Sequence, residues 1–138
     1  MLFRSYIHSY EGLADAMMAK PWPDYKWMRC VTPSWDNWAR RHEGASVFLG
    51  ATPEKYKKWL THAVEYTDSC LHGDERLVFV NAWNEWAEGN HLEPDEKFGH
   101  GYLQATRAAL FEGMVKGRWK RLACCDEESV QEIGRAHV

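Results

Sequence analysis

Long hydrophobic runs are missing from this sequence. No stretch approaches the ~20 consecutive apolar residues that a membrane-spanning helix needs, and Met1-Leu2-Phe3-Arg4-Ser5-Tyr6 lacks the apolar region of a signal peptide. An excess of charge of one sign is missing too. Lysine and arginine number 17 against 20 aspartates and glutamates, a formal net charge of −3. That near-balance leaves no electrostatic footprint for nucleic acid or an anionic membrane. Cysteine is present but unpatterned: Cys30, Cys70, Cys124 and Cys125 make no C-x-x-C pair, and the last two are adjacent. They are expected to be reduced thiols of a cytoplasmic chain. His91 and His100 lack both H-E-x-x-H spacing and a partner set of metal ligands, and no glycine-rich loop is available to cradle a phosphate. No metal and no cofactor is therefore expected.

What is there fits a soluble globular chain, with 45% hydrophobic and 27% charged residues. Tryptophan is abundant at eight in 138 residues. Some indoles must serve a core, but a sugar-binding cleft also wants flat apolar faces with a polar edge.

Periodicity predicts helix, strand, loop, helix, strand, loop, helix. Residues from about Tyr6 to Ala19 read as a helix with Tyr6, Leu13, Ala14, Met17 and Met18 on one face, stopped by Pro21-Trp22-Pro23. Lys26 to Val31 reads as a strand and Ser34 to Gly50 as a long polar loop, a kind of segment that is usually functional. Thr52-Pro53-Glu54 is a helix start. After it Tyr56, Trp59, Leu60, Ala63, Val64, Thr67, Cys70 and Leu71 recur at helical spacing until Gly73. Leu77 to Trp83 is a continuous apolar run, expected to be a strand buried on both faces of a parallel sheet. A second polar loop, Asn84 to about Gly99, precedes a last helix from about Tyr102 to Val115, with Leu103, Ala105, Thr106, Ala109, Leu110 and Met114 inward. Both polar loops follow carboxyl ends of strands, the edge where α/β folds carry their chemistry.

The expected class is α/β, the C-terminal portion of a (β/α)8 TIM barrel. Two strands cannot make such a sheet alone, and the whole barrel would need about 250 residues or more. Residues 1–123 are assigned to the partial barrel and 124–138 to an irregular tail without apolar periodicity. The end of that tail, Glu132-Ile133-Gly134-Arg135-Ala136-His137-Val138, resembles one reading frame of a sequencing-adapter oligonucleotide, so the tail is expected to be partly artefactual and without function. On its own the chain is expected to be marginally stable and inactive.

The densest chemistry lies in Asn81-Ala82-Trp83-Asn84-Glu85-Trp86-Ala87-Glu88-Gly89. Carboxylates three residues apart point to opposite faces of a continuing strand. Glu85 and Glu88 can converge only if the chain turns after Glu85, and a retaining glycosidase pair stands about 5–5.5 Å apart. Trp83, Asn84 and Trp86 would orient a glycan by stacking and hydrogen bonding. On spacing alone, a solvated acidic turn beside core tryptophans is the commoner reading. On the earlier loop, Trp35, Asp36, Asn37, Arg40 and Arg41 could line the same cleft, the arginines gripping an acidic sugar or phosphate, or Asp36 and Arg40 could simply pair at the loop base. Glu93 is a further candidate for substrate contact, beside Asp95.

The segment Val78 to Asp95, with Asn81-Ala82-Trp83-Asn84-Glu85-Trp86-Ala87-Glu88-Gly89 at its centre, resembles the hallmark of WbsX-type proteins, glycosyltransferases with a domain like glycoside hydrolase family 99, the endo-α-mannosidases. Val31-Thr32-Pro33-Ser34-Trp35-Asp36-Asn37-Trp38-Ala39-Arg40-Arg41 is similar to a second block of that family, and Thr52-Pro53-Glu54 through Trp59-Leu60 to a third. The resemblance runs from about Lys20 to Leu110. It implies the barrel fold and two catalytic glutamates in an E-W-x-E arrangement, without a metal. Glu85 would be the base that deprotonates the sugar's own 2-hydroxyl, and Glu88 the acid that protonates the leaving oxygen, through an anhydro-sugar intermediate. The chain departs from the pattern at Ala87, where endo-mannosidases have histidine, and at Ser34, where the WbsX block has glycine. The expected activity is on glycosidic bonds of manno-type glycans in polysaccharide metabolism. The alternatives are a glycosyltransferase of surface-polysaccharide (O-antigen) assembly, whose nucleotide-donor site would lie upstream, or a silent glycan-binding fragment, which the presence of both glutamates disfavours.

Overall fold

The computed structural model describes residues 5–41 and 43–115, with side chains up to residue 111. The 124–138 tail and the side chain of Met114 lie outside the described residues. The elements are β1 (Tyr6–Ser9), α1 (Tyr10–Met18), β2 (Arg29–Val31), β3 (Ser46–Leu49), α2 (Pro53–Cys70), β4 (Val78–Val80), β5 (Asn84–Glu85), β6 (Asn90–His91) and α3 (Gly101–Val115). The class is α/β. β1 pairs in parallel with β3, and β2 in parallel with β4.

Two elements differ from the sequence expectation. Tyr6–Ser9 is a strand rather than the first turns of a helix, because Ser9 is an extended N-cap whose hydroxyl accepts from the Gly12 amide at 3.2 Å. The helix therefore starts at Tyr10. The supposed loop from Ser34 to Gly50 contains β3, whose four residues gain their strand character from two neighbours. On one side is β1; on the other, Asn37 N–H bonds to the Ser46 carbonyl at 3.3 Å and Phe48 N–H to the Trp35 carbonyl at 2.8 Å.

α2 follows its sequence signals closely. Thr52 caps it, Pro53 occupies its first turn, and Tyr56, Trp59, Leu60, Ala63, Val64 and Thr67 are buried along one stripe. Two details depart: Cys70 is exposed, and Leu71 rather than Gly73 ends the helix, with Gly73 opening a short 3-10 turn, Gly73–Glu75. α3 packs across the start of α2 so closely that a Cβ on Gly101 would stand 2.9 Å from Pro53 Cγ. Its inward face is Tyr102, Ala105 and Ala109, while Leu110 is exposed. Tyr10, Val31 and Leu92 join these residues in one core.

β4 is not covered on both faces. Val78 and Val80 pack against the core, whereas Phe79 is 52% exposed and Leu77 is also open. Among the described residues β4 has one strand neighbour and one helix-covered face, so alternate residues are left in solvent. No described helix is long and apolar enough to cross a membrane.

Candidate active site

The polar segment after β4 is a hairpin. β5 runs antiparallel to β6, with Asn84 opposite His91 and Glu85 opposite Asn90. The 3-10 turn Trp86–Glu88 joins them, so the chain does turn directly after Glu85. Gly89 closes the turn at φ 57°, a backbone region that L side chains rarely occupy, and a Cβ there would stand 3.2 Å from Asp36 Cβ. Any other residue would be strained by that φ and would have to push Asp36 back by a few tenths of an ångström.

That close approach joins the hairpin to the loop after β2. Asp36 N–H donates to the Glu88 carbonyl at 2.7 Å, and the Ser34 hydroxyl donates to the Gly89 carbonyl. Thr32 Oγ1 lies 3.0 Å from the side-chain oxygen of fully buried Asn90. Tyr10 donates its hydroxyl to the Thr32 carbonyl at 2.7 Å, fixing this loop to the helix layer. Burial holds the Tyr10 phenol well above the usual tyrosine range, so it stays a donor.

The structure brings together several of the sequence candidates. Glu85 is exposed on β5. The side chain of Glu88 is largely covered and its carboxylate meets Arg40 Nη1 at 3.1 Å. Arg40 thus pairs with the hairpin glutamate, and the alternative pairing with Asp36 at the loop base is not formed. The Asp36 carboxylate instead accepts the Trp38 amide at 3.0 Å. Asn37 is buried, its side-chain oxygen accepting the Ser46 amide at 2.8 Å. Trp83 and Trp86 are 54% and 49% exposed, and Asn84 is exposed beside them. Glu93 accepts the Trp86 indole N–H at 2.6 Å. Beside the hairpin lies a cleft of about 510 Å³, with Trp35, Asp36, Phe48, Trp86, His91 and Tyr102 among its walls. Glu85 and Glu88 do not line it; they flank Trp86, which does.

The pair His91 and Asp95 has no counterpart in the sequence reading. Their side chains, each almost nine-tenths buried, meet at 3.1 Å, and the imidazole stacks on the Trp86 indole with centroids 3.7 Å apart. The only available sequence signal was their spacing of four. Burial works to raise the Asp95 pKa, but hydrogen bonds from the Phe98 amide, His91 and the Lys97 amide outweigh it and hold the carboxyl below its usual range. Among the described residues no group of histidines, cysteines and acids could hold a metal ion.

The fold and this hairpin define an α/β chain that carries two glutamates and exposed indoles at the carboxyl edge of a parallel strand. A family model, Glycosyltransferase WbsX, matches residues 1–106. The chain belongs to the WbsX glycosyltransferase family. It is 41% identical over 108 residues to the uncharacterised protein WxcX of Xanthomonas campestris pv. campestris, in both strain B100 and strain ATCC 33913. Those alignments take in 78% of this chain but 16% of each WxcX protein, so the chain spans less than a fifth of the curated relatives it matches. No solved structure matches it.

Proposed function

We propose that this chain forms part of the catalytic edge of a (β/α)8-barrel enzyme that acts on glycosidic bonds of manno-type glycans, with Glu85 and Glu88 as its paired carboxylates. One observation carries the reading. Both glutamates sit on a single tight turn at the carboxyl end of β4, separated by one exposed indole and preceded by another. Glycoside chemistry needs one group to give a proton while another takes one. Glu85 takes the proton of the sugar's 2-hydroxyl as that oxygen attacks the anomeric carbon. The anomeric bond to the leaving oxygen breaks, and Glu88 delivers a proton to that oxygen. Glu88 then deprotonates the water that attacks the anomeric carbon, the bond from that carbon to the 2-oxygen breaks, and Glu85 returns its proton to that oxygen. Arg40, which meets Glu88 at 3.1 Å, pairs with the carboxylate formed once Glu88 has given up its proton.

The exposed Phe79 of β4 and Leu77 just before it support the barrel part of the reading, since parallel strands normally have both faces covered. A glycosyltransferase of surface-polysaccharide (O-antigen) assembly is the second reading, in keeping with the family's description.

The test is a screen of the complete protein carrying this segment against α-mannosides and nucleotide sugars, repeated with Glu85→Gln and Glu88→Gln. Each substitution keeps shape and removes proton transfer, and turnover is expected to fall by about 10²–10⁴-fold. The double variant should lose little more than either single one, because the carboxylates act as a unit. Near-normal turnover in both single variants would sink the assignment.

A further inference from the structure

The hairpin holds one tryptophan unusually firmly. Trp86 lies between the two glutamates; two contacts fix its indole and a third fixes its backbone. The His91 imidazole covers one face, at 3.7 Å and 13° from parallel. Glu93 takes the N–H at 2.6 Å. The Trp86 carbonyl accepts the Gly89 amide at 3.0 Å, closing the turn. His91 is in turn tied through Nε2 to Asp95 at 3.1 Å, while its buried Nδ1 meets no polar protein atom. Asp95 is therefore the ring's polar anchor.

Asp95 is itself secured. Its carboxylate accepts the Phe98 amide at 2.5 Å, and its backbone exchanges hydrogen bonds with Gly99 at 3.2 and 2.9 Å. Phe98 packs edge-on against Tyr102 in the α3 core. A rigid line thus runs from the helix layer through Asp95 and His91 to Trp86. With one face covered and its polar edge occupied, the indole is still half exposed. The face opposite the imidazole is the part of the indole that neither of these contacts covers.

We propose that His91 and Asp95 are positioning residues that make Trp86 a one-sided stacking platform for a pyranose ring of the glycan chain, with Glu93 bracing the indole edge rather than touching sugar. The proposal rests on the glycan reading above and adds how the substrate ring is oriented. The axial and equatorial C–H groups on one side of a pyranose make a flat apolar patch that fits an indole face. Because Trp86 belongs to the turn that carries Glu85 and Glu88, a ring stacked there is oriented against both carboxylates. A tilt of the platform would misplace the ring as much as moving a glutamate would.

The experiment labels the complete protein with 5-fluorotryptophan and follows the Trp86 ¹⁹F resonance, assigned by its loss in Trp86→Phe. His91→Ala is expected to shift and broaden that resonance while the other tryptophan signals keep their dispersion. His91→Phe, which restores a flat ring, should return it toward the parent position, and it serves as the folded variant if His91→Ala unfolds. Titration with an α-linked mannotriose should move the Trp86 signal in the parent. The dissociation constant should rise about tenfold in His91→Ala, and much less in His91→Phe. A Trp86 resonance unmoved by His91→Ala overturns the bracing. Mannotriose binding that leaves the parent Trp86 signal in place overturns the platform while the glycan function stands. A parent that binds neither mannotriose nor nucleotide sugars overturns the function, and the His91→Ala shift still decides the bracing.

Discussion

Tryptophan has two different uses in this molecule, and Trp59 and Trp83 show them side by side. Trp59 is 5% exposed, packed edge-on against Tyr10 in the layer where α1 and α2 meet. Trp83 is 54% exposed at the mouth of the hairpin, where its indole contributes little to folding and its backbone carbonyl accepts the Leu92 amide at 2.8 Å. A helical stripe makes the first position; a strand end followed by a polar turn makes the second. The difference separates a region that stores stability from one that presents surface.

The largest effect expected on stability tests that separation directly. Trp59→Ala should destabilise the protein by about 3–5 kcal/mol through lost burial and the cavity left behind. Trp83→Ala should stay within about 0.5 kcal/mol, as exposed substitutions do. Denaturant unfolding of the two variants measures both. Equal losses would show that the hairpin is part of the core, and the comparison would fail.

How much of this was legible follows from where each element's information lies. α2 carries its own: the Thr52-Pro53-Glu54 start and the stripe from Tyr56 to Thr67 are local, and the structure follows them. β1 and β3 do not. Each has four residues, and each is a strand because the other lies beside it 40 positions away in sequence, as in Tyr6 opposite Ser46. Short apolar runs of that kind fit a helix as readily as a strand. The turn after Glu85 was legible because two carboxylates at that spacing require one to meet, and Gly89 permits it. The Arg40–Glu88 pair and the His91–Asp95 pair were not legible. The first joins residues 48 apart, and the second depends on the path of the chain leaving β6 rather than on helical spacing.

The two regions should also fail at opposite ends of the pH scale. Burial pushes the Tyr56 phenol up to about 12, only partly offset by its hydrogen bond with Thr106. A raised folded value means that the native state prefers the protonated, neutral ring. The associated stability is complete below the unfolded value of about 10 and is lost as pH rises from there to about 12. The loss is on the order of 3 kcal/mol for this residue, and Tyr10 and Tyr102, raised in the same direction by burial, add to it. Asp95 has the opposite sign. Its folded value is lowered, so its contribution is present above the unfolded carboxylate value and is lost as pH falls through the acid range. Far-ultraviolet circular dichroism should therefore report an alkaline loss that Asp95→Asn leaves unchanged. The Trp86 environment should change in acid, and Asp95→Asn should bring that change to neutral pH. An acid transition of Trp86 that survives in Asp95→Asn would assign it to another group.

The smallest effect concerns the start of α2, the element on which both regions depend. Thr52 is an extended N-cap, and its hydroxyl accepts the Lys55 amide at 3.4 Å. That is a long bond at the open end of an 18-residue helix, where, with Pro53 contributing none, three backbone N–H groups lack intrahelical partners. Thr52→Ala removes the acceptor and should cost about 1 kcal/mol, while Thr52→Ser should restore most of it. Because Pro53 already fixes the first helical φ and contributes no N–H, the loss should lie toward the lower end of the range for capping residues. Ser9 caps α1 through a shorter bond, 3.2 Å to Gly12, yet α1 has nine residues against eighteen and touches fewer of the elements that support the hairpin. Thermal unfolding should thus rank Thr52→Ala and Ser9→Ala within a few tenths of a kcal/mol of each other. Their local effects should differ: Thr52→Ala should loosen the contact of α3 with Pro53 and increase amide exchange at Tyr102 and its neighbours, whereas Ser9→Ala should act on β1 and the Tyr10 bond to Thr32. Increased exchange at Tyr102 in the Ser9 variant, and not in the Thr52 variant, would mean that α1 rather than α2 supports the hairpin side.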